Sequence, residues 1–349
     1  MDVLLTPQIR SDLREILDRS EHDLSWIADR DVVVTGATGF VGTWLCLSYL
    51  NARRELGLRG RLTVVARNTD SFMGRLTDAG FADVVDAVTC DVRDLRPSAV
   101  PNGALMVHAA TPARESLNNG DPNEMLDIII GGQRTVLDVA SKQEVDRLLF
   151  LSSGAVYGPQ PMDVERIAET WPGSPDVTDP GNAYHEGKRV AELMGNVASS
   201  TGRVDFVTAR LFAFLAPFLP WGEHFAAGNF LRDAAQGDPI RIKSGGGSVR
   251  SYQYGTDMAV WTWALLARGE RGRAYNVGSD SPVTIRELAD VVVSVSGSTG
   301  GVSVEGVDTV ANVSRYVPDV SEATSVLGLR NYVDLGEAVR RTLRWNGEQ

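Results

Sequence analysis

The sequence predicts a doubly wound parallel α/β sheet followed by a smaller mixed α/β domain, and three features lead there. Short apolar runs at 32–34, 62–66, 87–90, 105–109, 147–152 and 206–211 alternate with helix-like segments that include 40–57, 123–143 and 184–200. Strands alternating with helices pair in parallel and connect by right-handed crossovers. The first run stops at once in a glycine-rich turn that opens a helix. The last third then changes character. Loops rich in Gly and Pro (Leu219-Pro220-Trp221-Gly222 and Ser244-Gly245-Gly246-Gly247) precede helical segments at 255–268, 284–297 and 333–345. The chain therefore divides into an N-terminal helical extension (1–29), a main α/β domain (30–210) and a smaller domain (211–349). The smaller one is expected over the carboxyl edge of the sheet, with the chain crossing between the two.

Within the extension, residues 8–28 carry Ile9, Leu13, Ile16, Leu17, Leu24 and Ile27 at near-helical spacing, the signature of an amphipathic helix. Because it precedes the first strand, it is expected on the outside of the core. With 349 residues, 43% hydrophobic and 23% charged, the chain has the balance of a globular protein. A net charge of −11 argues against nucleic-acid binding, but a local arginine can still hold a phosphate. Two cysteines, Cys46 and Cys90, are too few for a disulfide framework or a cysteine metal site, and both are expected to be buried. No metal is expected. No secretory signal or span of ~20 apolar residues is visible, so a cytoplasmic protein without membrane contact is expected.

The turn Thr35-Gly36-Ala37-Thr38-Gly39-Phe40-Val41-Gly42 has the spacing G-x-x-G-x-x-G between a strand and a helix. Glycines serve where backbone must turn tightly or approach a pyrophosphate, and the helix N-terminus offers free N–H groups to the anion. This predicts a Rossmann-type nicotinamide dinucleotide site, although an ordinary strand–helix turn has the same outline. At the end of the second strand stand Arg67 and Asn68, where an acid would hold a ribose 2′-hydroxyl. Arginine suits a 2′-phosphate, which favours NADP(H) with NAD(H) possible; a solvated surface arginine is the other account. Asp91 and Val92 follow the third strand, within reach of an adenine amine or as simple turn residues. At the end of the fourth, His108-Ala109-Ala110-Thr111 offers small residues on which a cofactor can lie. His108 itself reads as a packed histidine.

The strongest chemical signal is Tyr184-His185-Glu186-Gly187-Lys188. Residues four apart share a helix face, so Lys188 stands beside Tyr184. A neighbouring ammonium favours the phenolate, and a tyrosine so tuned can exchange the proton that accompanies hydride transfer. Ser152-Ser153, about thirty residues upstream at a strand end, can hold the substrate oxygen in line with Tyr184.

With these motifs in place, the chain resembles the extended short-chain dehydrogenase/reductase family, in its nucleotide-sugar epimerase, dehydratase and reductase branch. The resemblance runs from about residue 31 to 345. Its landmarks are TGATGFVG (35–42), CDVRD (90–94), HAAT (108–111), LSSGAVYG (151–158), YHEGK (184–188), RSYQYGTDMA (250–259) and YNVGSD (275–280). It implies a catalytic trio of Ser153, Tyr184 and Lys188, with Lys188 also on the nicotinamide ribose. It gives Arg250 to the substrate diphosphate and a structural part to Asp257. Asn229, in His224-Phe225-Ala226-Ala227-Gly228-Asn229-Phe230, falls in a substrate-facing loop. A homodimer built on 123–143 and 184–200 is also implied.

Departures from the family pattern narrow the reaction. Dehydratases of the family carry an Asp-Glu pair after the catalytic Ser/Thr, and decarboxylases tend to carry an acid there; here stand Gly154 and Ala155. Ala213 replaces the family's asparagine after the Tyr-Lys helix. A 4-ketoreductase for an NDP-4-keto-6-deoxyhexose, such as dTDP-4-keto-6-deoxyglucose, is the preferred expectation. An NAD-dependent 4-epimerase is its rival. A non-catalytic NADP(H) sensor on the same fold is a third reading, and reduction of a ketone or aldehyde not bound to a nucleotide is a fourth.

Overall fold

In the computed structural model, which describes residues 4–111, 121–173, 175–221, 225–309 and 313–349, the apolar runs of the first 211 residues become parallel strands. These are β1 (Val32–Thr35), β2 (Leu62–Ala66), β3 (Val85–Thr89), β4 (Leu105–His108), β5 (Arg147–Ser153) and β6 (Phe206–Leu211). The later strands are β7 (Ile240–Ile242), β8 (Val249–Arg250), β9 (Ala274–Val277), β10 (Val283–Thr284), β11 (Val302–Val304) and β12 (Arg315–Tyr316). The helices, in order, are α1 (Pro7–Ala28), α2 (Phe40–Glu55), α3 (Asp70–Asp78) and α4 (122–142, with a π-helical turn at Asp127–Gly131). They continue as α5 (Ala183–Ser200), α6 (Ala226–Gln236), α7 (Gly255–Arg268), α8 (Ile285–Ser296), α9 (Ser321–Leu327) and α10 (Leu335–Gly347).

The main sheet runs β3-β2-β1-β4-β5-β6-β9, all parallel. Chain order reverses between β1 and β4, and such a switch point opens a crevice at the carboxyl ends of the strands. Alternate residues of each strand face opposite sides. Val32, Val34, Val64, Val107 and Leu149 join one core with α1, α2 and α7, while Val33, Val65, Met106, Leu148 and Phe150 join another with α4 and α5. Burial on both faces explains why these strands read as unbroken apolar runs.

The segment beyond residue 211 does not all belong to the smaller unit: β9 completes the main sheet and α7 packs against its face. The rest forms a three-stranded sheet β10-β8-β12, a two-stranded sheet β11-β7, and helices α6 and α8, which pack on each other.

The extension is more deeply integrated than the sequence suggests. Helix α1, kinked at Ser20, packs on α2 and α7, and Ile9, Ile16, Leu24 and Ile27 are fully buried in the main core. Its polar side is pinned as well. Tyr254 Oη donates to Asp12 at 2.6 Å and Arg341 meets the same carboxylate at 3.0 Å. Arg268 pairs with Asp23 at 2.8 Å. Burial pushes the Asp12 carboxyl up to about 7.

Cys46 is buried as expected, but Cys90 is only half-buried. The reason is its place: β3 is the outermost strand of the sheet, so its end opens toward solvent. Among the described residues no helix is long and apolar enough to cross a membrane.

Candidate active site

At the end of β1 the chain turns through Gly36 at φ +69°, a backbone conformation that L side chains rarely adopt. A Cβ there would stand 2.8 Å from the backbone of Ala109 and Ala110, and one on Gly42 would stand 2.3 Å from Gly36 O. Thr35 Oγ1 binds His108 Nδ1 at 2.7 Å and accepts from Ala110 N at 3.2 Å, tying the ends of β1 and β4 together. Burial pushes the His108 imidazole down to about 3, so it is a neutral packed histidine. Helix α2 begins just after, with Gly39 at its N-cap and no side chain capping its first N–H groups. Thr38 and Gly39 are exposed at this turn, with Phe40 and Val41 half-buried behind them. This side-chain-free cradle against an uncapped helix N-terminus fits a dinucleotide pyrophosphate.

Around the adenosine end, the structure gives several residues local duties. Arg67 is exposed beyond β2. Asn68 Oδ1 accepts from Asp70 N at 3.2 Å, holding the entry to α3. Asp91 accepts from Arg93 Nε and Nη2, each at 2.9 Å, and also from its backbone N–H. That pairing, helped by Arg67, holds the carboxyl below its ordinary value. Val92 is buried against α4.

The Tyr-Lys helix is entered through a short 3-10 turn, Pro180–Asn182, in which Asp179 accepts from Gly181 N. Lys188 then lies 2% exposed. Its Nζ donates to Leu151 O at 2.7 Å and Thr111 Oγ1 at 2.8 Å, and sits 4.6 Å from the Phe150 ring centroid. Burial pushes the ammonium down to about 7, while Glu192, one turn on, pulls it up. The sequence reading had Lys188 lowering the Tyr184 phenol. Here Lys188 is turned toward the strand instead. Burial raises the Tyr184 phenol, and the group that draws it back down is the Ser153 hydroxyl.

Beneath this group lies a buried charged network that spacing did not reveal. Arg210 Nη2 pairs with Glu192 Oε2 at 2.7 Å, Ser152 Oγ donates to Glu192 Oε1 at 2.5 Å, and Arg210 Nη1 donates to Tyr157 Oη at 2.8 Å. Tyr157 Oη donates in turn to Asn276 Oδ1 at 2.7 Å. The network joins β5, α5, β6 and β9 and holds Ser153 and Lys188 in register.

From above, the small sheet brings two residues of distant sequence together. Arg250 on β8 and Tyr316 on β12 are register partners. Arg250 donates to Val249 O, Ser314 O and Ser314 Oγ, and among the described residues no carboxylate pairs with it. Burial lowers its guanidinium from the ordinary value. Tyr316 Oη lies 3.5 Å from Ser153 Oγ. A two-residue strand has no period to read, which is why Tyr316 escaped the sequence. Asn229 sits on the first turn of α6 and accepts from Arg232 at 3.3 Å; Gly222 and His224 lie outside the described residues.

The end of β5 thus gathers Ser153, Tyr184 and Lys188, with Tyr316 and its register partner Arg250 beside them, while the glycine turn lies at the end of β1. A family model described as the NAD dependent epimerase/dehydratase family matches residues 32–278. The chain belongs to this family of enzymes. It is similar to UDP-glucuronic acid decarboxylase 1 of Xenopus tropicalis, with 25% identity over 92% of this chain and 74% of that protein. The first decarboxylases of this kind are spanned over only 66–74% of their own length. It is also similar to dTDP-glucose 4,6-dehydratase of Streptomyces antibioticus, with 24% identity over 90% of this chain and 92% of that one. Among solved structures, the UDP-glucose 4-epimerase of Thermotoga maritima superposes with a TM-score of 0.77 at 19% identity, covering 91% of this chain and 98% of the other. That likeness shows a shared fold, the parallel seven-stranded sheet flanked by helices.

Proposed function

We propose that this family member is a nucleotide-sugar 4-ketoreductase that favours NADP(H) and acts on an NDP-4-keto-6-deoxyhexose such as dTDP-4-keto-6-deoxyglucose. One observation carries the reading. The place after Ser153, where elimination would need an acid and a base, holds Gly154 and Ala155. A Cβ on Gly154 would meet Phe212 Cζ at 2.6 Å and Tyr316 Oη at 2.7 Å, so ring atoms fill that space. What remains is Ser153, Tyr184 and Lys188, a set suited to hydride and proton transfer alone.

When bound, the reduced nicotinamide supplies a hydride to the carbonyl carbon. Ser153 holds the carbonyl oxygen, Tyr184 gives it the phenolic proton, and the Lys188 ammonium offsets the charge that develops. The turn of Gly36, Thr38, Gly39, Phe40, Val41 and Gly42 holds the pyrophosphate, with Ala109, Ala110 and Thr111 along the nicotinamide side. Arg67 and Asn68 face the adenosine 2′ position, and Asp91 and Val92 border the adenine. Arg250 takes the substrate diphosphate, since a desolvated guanidinium with no carboxylate partner among the described residues is suited to an anion; Asn229 borders the same substrate. Arg250→Ala is expected to raise KM about 10–100-fold with little change in kcat, measured by steady-state kinetics. An unchanged KM would instead favour a substrate without a diphosphate.

The deciding assay mixes the protein with NADPH or NADH and a panel of 4-keto and 4-hydroxy sugar nucleotides, following nicotinamide absorbance. Stoichiometric loss of NADPH with a 4-keto sugar supports the reading. Arg67→Ala is then expected to narrow the preference for NADPH over NADH by about tenfold. Sugar interconversion with no net cofactor change would make the chain an NAD-dependent 4-epimerase, a reaction the same trio can perform. On α5, Val190, Leu193 and Val197 are 37%, 63% and 55% exposed at helical spacing, the face on which a homodimer would be built.

A further inference from the structure

Ser153 Oγ lies near two phenols from distant stretches of the chain, Tyr184 and Tyr316. On one side its hydroxyl is near enough to Tyr184 to draw that phenol down, against the rise that burial causes. On the other, Tyr316 Oη stands at 3.5 Å. Ser153 Oγ also accepts the Ala155 N–H at 3.1 Å, which leaves room for one further donor and its own proton to give. Tyr316 has a second option, since its hydroxyl also reaches Leu211 O at 3.3 Å. Both of its contacts are long for O–H···O bonds, so the hydroxyl can move between them at little cost. Its ring is held regardless, packed against Phe212 with centroids 4.5 Å apart and the planes tilted by 32°.

We infer that Tyr316 is a positioning residue of the catalytic group: its hydroxyl donates to Ser153 Oγ, so that Ser153 turns its own O–H to donate a hydrogen bond to the Tyr184 oxygen whenever that oxygen carries negative charge. The relay Tyr316 to Ser153 to Tyr184 moves no proton between residues; each hydroxyl keeps its hydrogen and only its direction changes. While Tyr184 is neutral, Tyr316 rests on Leu211 O. Once Tyr184 has released its proton, the two hydroxyls align toward the phenolate, and hydrogen bonds in such a chain reinforce one another in a low-dielectric site. Because Tyr316 is the register partner of Arg250, the strand pair facing the diphosphate would also orient the serine beneath the sugar.

The inference rests on Tyr184 being the acid–base of the proposed reaction, but its test does not need turnover. The titratable and charged groups around Tyr184 are Tyr316 from β12, and Lys188 and His185 from its own helix. Arg250 of β8 stands next to Tyr316. The experiment titrates the full-length chain carrying 13C at tyrosine Cζ, with the Tyr184 resonance assigned by its loss in Tyr184→Phe. In Tyr316→Phe, which keeps the ring packing, the Tyr184 midpoint is expected to rise by about half a pH unit or more. Ser153→Ala should give at least that rise, and the double variant no more than Ser153→Ala alone. An unchanged midpoint in Tyr316→Phe, a Tyr316→Phe shift that persists in the Ser153→Ala background, or a Tyr184 that titrates in neither protein would overturn the relay. In the absorbance assay, Tyr316→Phe should lower kcat about fivefold with KM unchanged. Failure of the whole substrate panel would strike the proposed reaction and leave the titration result standing.

Discussion

Tyr184→Phe is expected to lower kcat by about 10²–10⁴-fold, the range over which one positioned proton donor contributes, while NADPH binding stays nearly unchanged. The ring is half-buried on α5 beside His185 and in the second apolar core, and phenylalanine fills the same space. Only the hydroxyl is lost, and with it the proton for the carbonyl oxygen. Steady-state turnover and fluorescence titration of bound NADPH separate the two effects; full turnover in the variant would refute Tyr184 as the acid. The pH dependence follows from the same group. Burial raises the Tyr184 phenol above its ordinary value, so the protonated form needed for reduction persists into alkaline solution. The tyrosine's own part of the alkaline fall should come as pH climbs through that raised value, beyond the edge set by Lys188, and whatever activity remains in Tyr184→Phe should lack this part.

The second large effect concerns stability. Glu192→Ala removes the carboxylate partner of Arg210 in a network where Glu192 is 6% exposed. Breaking a buried ion pair from one side costs about 3–5 kcal/mol, because the remaining charge is left without compensation. Ser152 Oγ loses its acceptor at the same time. Denaturant unfolding should show this loss, and Glu192→Gln, which keeps an acceptor for Ser152, should show a smaller one. There is also a signature in activity. Glu192 raises the Lys188 ammonium, which burial has pushed down to about 7. Removing the carboxylate lowers it further, so the cationic form survives only at lower pH. The alkaline edge of turnover set by Lys188 should therefore move toward acid in the variant. A stability loss without that movement would confine Glu192 to a structural part.

Comparison of particular residues shows how far reading the chain could go. The inner strands of the main sheet were legible because they are buried on both faces, so Leu62–Ala66 and Phe206–Leu211 are apolar almost throughout. Helix α1 was legible from its 3.6-residue period, although its depth in the core was not, since no local pattern shows what Asp12 and Asp23 pair with. Their partners Tyr254, Arg341 and Arg268 lie more than two hundred residues away.

The site divides in the same manner. Gly36, Gly39 and Gly42 carry their message in a spacing of three, and Tyr184 and Lys188 in a spacing of four, because each pattern sits within one turn or one helix. Local geometry alone therefore determined the cofactor cradle and the Tyr-Lys pair. The direction in which Lys188 points, the pairing of Glu192 with Arg210, and the arrival of Tyr316 beside Ser153 depend on which strands become neighbours. A side chain's partners across a sheet are chosen by register and topology, which no local spacing encodes, and so only the tertiary structure decided them.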